Sequence, residues 1–177
     1  TLHTRRAPGM VWRRLPLFSW SATVSGYVLL IAGSVMVGAC AMLMIDRQFD
    51  GVFFDPGEGG SPILWQHLSW LFFTGAYLVI LLPAFGAISE ILPTFSGKPP
   101  FSHRTIAASF VAAGGLGLLA WMQNMYTAPI PIGWTYFAMA AALALTVPIG
   151  LLLFNWVATL WGGALRLRAP LLFALGA

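Results

Sequence analysis

Leu17 to Met44 reads LFSWSATVSGYVLLIAGSVMVGACAMLM, twenty-eight residues without a Lys, Arg, Asp or Glu. As an α-helix this stretch would run about 42 Å, more than the ~30 Å hydrocarbon core of a bilayer. Three further stretches meet the same length and polarity test: Ile63 to Leu92, Thr105 to Met122 and Trp134 to Trp161. None of them holds a Lys, Arg or Asp, and the single acid, Glu90, stands at the end of the second. A fifth apolar stretch, Pro170 to Ala177, extends for about two helical turns and amounts to half a span. The pattern predicts an all-α fold, a polytopic transmembrane helix bundle of one membrane domain over 1–177, with four full spans and a partial fifth.

Composition agrees, because 59% hydrophobic residues against 8% charged ones leaves too little polar surface to cover a water-soluble fold. The charges also orient the chain. Arg5, Arg6, Arg13 and Arg14 precede the first span, Lys98 and Arg104 lie between the second and third, and Arg166 and Arg168 follow the fourth. The alternate connections, 46–61 and 123–133, hold one base, Arg47, and four of the five acids: Asp46, Asp50, Asp55 and Glu58. Lys and Arg in short loops stay on the cytoplasmic side, so the N-terminus is expected there, and the positive-inside pattern fits a bacterial inner membrane. The net charge of +4 is thereby explained by topology, and nucleic acid is not implied.

Cys40 is the only cysteine and lies in a span, so neither an intrachain disulfide nor a thiolate metal cluster can form, and it reads as a small packing residue. Gly26, Gly33 and Gly38 in the first span and Gly114, Gly115 and Gly117 in the third are expected to let helices approach closely. Pro83 and Pro148 fall inside spans and should bend them. Residue 1 is Thr and residue 177 falls within an apolar stretch, which reads as a piece, or a relic, of a longer polytopic protein.

A series of landmarks resembles the middle of subunit I of the haem-copper terminal oxidases, the cytochrome c oxidase family, from its fifth helix to the start of its ninth. Arg6, Pro8 and Gly9, with Leu15-Pro16-Leu17-Phe18 and Trp20, are similar to the loop into the fifth helix. Asp46-Arg47, Phe53-Phe54-Asp55-Pro56, Gln66-His67-Leu68 and Trp70 match the outer loop and the start of the sixth. Pro83, Phe85-Gly86, Ser89, Thr94-Phe95-Ser96 and Lys98-Pro99 continue it through the inner loop. Trp121, Met125 and Thr127 match the next outer turn, and Pro148, Gly150, Phe154, Trp156 and Ala158-Thr159-Leu160 match the eighth helix. Ala174-Leu175-Gly176 matches the opening of the ninth.

The resemblance implies oxygen reduction at a haem facing a copper ion held by three histidines, since neutral imidazole suits both oxidation states of copper. At those positions the sequence departs. Counting from Trp70 to Pro83, the family's histidine, proline, glutamate and tyrosine are replaced by Thr74, Gly75, Ala76 and Leu78. Its histidine pair, placed by Trp121 and Met125, is replaced by Gln123 and Asn124. A hydroxyl and two carboxamides compete poorly with imidazole or water for first-row metals. Thr74 is expected to bond back to its own helix, and Gln123 and Asn124 to satisfy each other or the outer turn. Tyr77 lies one position too early, about 100° round the helix from the tyrosine position, and cannot substitute.

Proton transfer gives a parallel reading, because ionisable groups inside a membrane are costly and kept for use. The threonine and lysine that many family members carry on the eighth helix correspond to Ile149 and Leu152 here. With Ala76 in place of the glutamate, no titratable side chain is left in the interior of a span. His67 at an outer helix start reads as shaping its loop, and His3 and His103 as solvated loop residues. The family's haem-ligating histidines belong to helices outside this stretch, so this segment is expected to bind no cofactor, with haem possible only where flanking helices exist.

Two functions follow from the resemblance. The preferred one is a non-catalytic, structural or accessory component of a respiratory membrane complex, in contact with other membrane subunits and lipid. The alternative is the central part of a larger haem-containing subunit I taking part in electron transfer and oxygen reduction.

Overall fold

The computed structural model describes residues 11–176. Five α-helices follow one another: α1 (Leu17–Gln48), α2 (Pro62–Ser96), α3 (His103–Leu119), α4 (Ile132–Leu160) and α5 (Ala169–Gly176). Short 3-10 turns occupy Trp12–Arg14, Pro56–Glu58 and Ala120–Met125, and no strand occurs among the described residues. The chain is an all-α polytopic bundle whose four long helices are each long and apolar enough to cross a membrane. Arg6, Pro8 and Gly9 lie outside the described residues.

Helix bounds depart from the apolar runs where polar residues take over the ends. α1 continues past Met44 through Asp46 and Arg47, and α2 continues to Ser96 before Gly97, at φ +67°, ends it in the left-handed conformation. The third span starts at His103 behind the Ser102 cap and tightens into a 3-10 turn from Ala120. Within the bundle α2 and α3 each touch the other three long helices, while α1 and α4 flank them and α5 rests on α2.

Burial runs opposite to that of a water-soluble protein. The most apolar window, in α1 with mean hydropathy 2.5, is 17% buried, whereas the least apolar, in α3 with 1.7, is 50% buried. Leu30, Val37, Ile80 and Leu143 point outward at about 70% exposure or more. Such a surface is stable only against lipid or other apolar helices.

The core forms where side chains interlock. Leu17, Leu82, Ile106, Phe110 and Leu152 are almost fully buried together, with Trp20, Leu78, Phe85, Ile149 and Trp156 packed around them. A smaller cluster of Ile88, Leu92 and Leu171 fixes α5. Buried hydroxyls mostly turn back on their own helices: Ser25 donates to the Ser21 carbonyl, Ser89 to Phe85 and Thr159 to Asn155. This keeps polar groups satisfied away from water.

Close approach is made at two of the six glycines expected, Gly114 and Gly117, and at two others, Gly75 and Gly86. Gly26, Gly33, Gly38 and Gly115 have open space around them, and Cys40 is exposed, because all five stand off the α1–α2 and α1–α3 contact lines. The tight points are Gly75 against Ala32, Gly86 against Ser21 and the Phe18 backbone, Gly114 against Val24, and Gly117 against Leu78. On the α1 side the line is Ser21, Ser25, Val28 and Ala32, whose spacing of three and four keeps it on one face.

At the basic end the two connections zip together. Ala164 N–H donates to the Ser96 carbonyl and Arg166 N–H to Phe95, both at 2.9 Å. Lys98 Nζ donates to the Trp161 carbonyl at 2.5 Å and Phe101 N–H to Thr159 Oγ1 at 3.0 Å. At the other end the Asp46 carboxylate accepts from the Phe53 and Phe54 amides at 2.9 and 2.8 Å, ordering the loop after α1.

A methyl added at Gly86 would meet Ser21 Oγ at 1.9 Å and the Phe18 Cα at 3.1 Å. Gly86→Ala is therefore expected to destabilise the bundle by about 1–3 kcal/mol, while Gly26→Ala stays neutral or stabilises. Thermal unfolding of both variants in detergent checks this. Equal melting temperatures would contradict the close α1–α2 contact.

Candidate functional site

The positions assigned by resemblance to copper ligation come from two elements, the middle of α2 and the 3-10 turn that ends the third span. Thr74 is buried on α2 between Trp70 and Leu78, and Asn124 faces it from the turn Ala120–Met125. Asn124 Nδ2 donates a long hydrogen bond to Thr74 Oγ1 at 3.5 Å and another to the Trp121 carbonyl at 3.3 Å. Thr74 thus accepts across the helix gap, and no bond back to its own helix occurs among the described residues. Gln123 is exposed and, among the described residues, pairs with neither Asn124 nor the turn.

The surrounding side chains are apolar. Gly75 is buried against Ala32, Ala76 is half-buried, and Leu78 packs its branched end on Gly117. Tyr77 points away at 65% exposure, as its helical offset requires. Two turns further in, Ile149 and Leu152 of α4 lie in the main core beside Leu82 and Phe110. Trp121 has a buried indole N–H without a partner among the described residues. Among those residues no three His, Cys, Asp or Glu side chains come together as a metal site. The side chains that meet at Thr74 offer one hydroxyl and one carboxamide oxygen, weak neutral donors that do not fit copper.

The remaining landmarks have structural contacts. Asp55 accepts from Gly57 N–H at 2.8 Å and caps the turn beginning at Pro56. His67 Nδ1 lies 3.0 Å from the Ile63 carbonyl one turn back, so that nitrogen carries the proton. Trp70 stands edge-on to Phe73 with ring centres 6.1 Å apart. Pro83 and the buried Pro148 lie inside the continuous helices α2 and α4, and Trp156 donates to Ser89 Oγ at 2.9 Å while meeting Phe85 edge-on.

Two residues take roles that sequence reading missed. Glu90 reaches from α2 to the start of α1, where its Oε1 accepts from Leu17 N–H at 2.5 Å and Phe18 N–H at 3.4 Å. An anion at these open amides also complements the positive end of the helix dipole. His103 is not a solvated loop residue. It opens α3, and its Nε2 lies 2.9 Å from the Leu15 carbonyl. Both sides of the turn into α1 are thus held, the carbonyl from α3 and the amides from α2. A signal for Glu90 was present, since it is the lone acid within the predicted spans, and such a group needs a partner.

Comparison with known proteins gives a consistent result. The family model for cytochrome C and quinol oxidase polypeptide I matches residues 1–177. The chain is 42% identical to cytochrome c oxidase subunit 1 of Cereibacter sphaeroides over 176 residues, covering 99% of this chain and 31% of that protein. Its identity to the subunit 1 of Bacillus subtilis (strain 168) is 37% and to that of Thermostichus vulcanus 36%, each over 99% of the chain and 28% and 32% of the relative. The chain spans less than a third of the length of these relatives.

Removing the α1 cap by Glu90→Ala is expected to cost about 0.5–2 kcal/mol of stability, read as a lower melting temperature in detergent. A double-mutant cycle on Thr74→Val and Asn124→Ala should give a small coupling of about 0.6 kcal/mol. A zero coupling would show that the two side chains do not interact.

Proposed function

The chain belongs to the cytochrome c and quinol oxidase polypeptide I family, and from that premise we propose that it is a structural, non-catalytic helix bundle of a respiratory membrane complex. The observation that carries this reading is the hydrogen bond from Asn124 to Thr74, which joins two of the three positions assigned to copper histidines. A carboxamide and a hydroxyl are weakly basic neutral donors that offer copper little beside imidazole. The neighbouring replacements support the same reading. Ala76 cannot carry a proton, Leu78 packs on Gly117, and Ile149 and Leu152 belong to an apolar core in place of a hydrated path.

What is retained is packing. Trp156 still bridges α4 to Ser89 and Phe85 of α2, and His67, Asp55 and Pro56 shape the outer ends. We assign the role of a scaffold for other membrane subunits, in a bacterial inner membrane with the basic, N-terminal face cytoplasmic. No cofactor is assigned to this segment. A second reading is favoured by the fraction of the relatives that the chain spans, below one third. In that reading these helices are the centre of a longer subunit I whose other helices carry haem and take part in electron transfer and oxygen reduction.

Metal and haem content separate these readings. The protein isolated with its partners from its own membrane is expected to hold copper at background by mass spectrometric metal analysis. Stoichiometric copper that is lost in Thr74→Ala would overturn the structural role. A reduced-minus-oxidised haem spectrum that co-purifies with this polypeptide would establish the second reading.

A further inference from the structure

We draw no further inference here: the strongest candidate, the cavity of about 220 Å³ between the start of α2 and the connection into α4, where His67, Trp121, Met122 and Trp134 meet, offers a single imidazole in a largely apolar lining, and nothing in the structure shows what would fill it.

Discussion

Inside a bilayer no water is available to hydrogen-bond a backbone amide or carbonyl, and nearly every local choice in this chain answers that constraint. Serine and threonine hydroxyls fold back on carbonyls one turn earlier, so the helices can bury them without partners from outside. Pro16, ahead of α1, leaves the first amides of that helix open, and the Glu90 carboxylate closes two of them. The connections at the basic end satisfy each other rather than remaining loose strands of unpaired backbone. Even the hydrogen bond from Asn124 obeys the same constraint, since it gives the buried Thr74 hydroxyl a partner.

Packing supplies what backbone satisfaction cannot, namely the choice of one arrangement. Lipid is as apolar as leucine, so burial alone barely distinguishes one helix pairing from another. The discrimination comes from fit: Gly86 admits Ser21, Gly114 admits Val24, and Gly117 receives Leu78. The last contact ties the proposed loss of chemistry to the preserved scaffold. A leucine at position 78 fills the space against α3 with carbon, so the contact is kept with no group that can give or take a proton.

The spans were legible because a water-soluble fold has little use for an uninterrupted apolar run longer than a bilayer is thick, and their polar ends shifted the bounds by a turn at most. Which residues face one another was less legible. Gly26, Gly33 and Gly38 recur along α1 as a contact stripe would, yet they look outward, and the working contacts use Gly75 and Gly86 of α2. In a helix that is apolar all round, the pattern carries no phase to tell inside from outside. The candidate site was legible through resemblance and spacing alone. The pairing of Thr74 with Asn124 and the clamp of Glu90 and His103 on Leu15 to Phe18 depend on contacts between segments 50 to 88 residues apart, which no local pattern encodes.

The zipped connections at the basic end also impose an order in time. Lys98 and Phe101 bond to residues 63 and 58 positions further along the chain, so their partners emerge from the ribosome only after two more helices have been made. The α1–α2 hairpin can form from local contacts well before that, but the segment from Phe95 to Phe101 must wait in water. Closing so long a loop costs only slightly more entropy than closing a short one, so the delay is kinetic and adds little to the thermodynamic cost. The contacts at the basic face are therefore among the last to form, after all four long helices have been made.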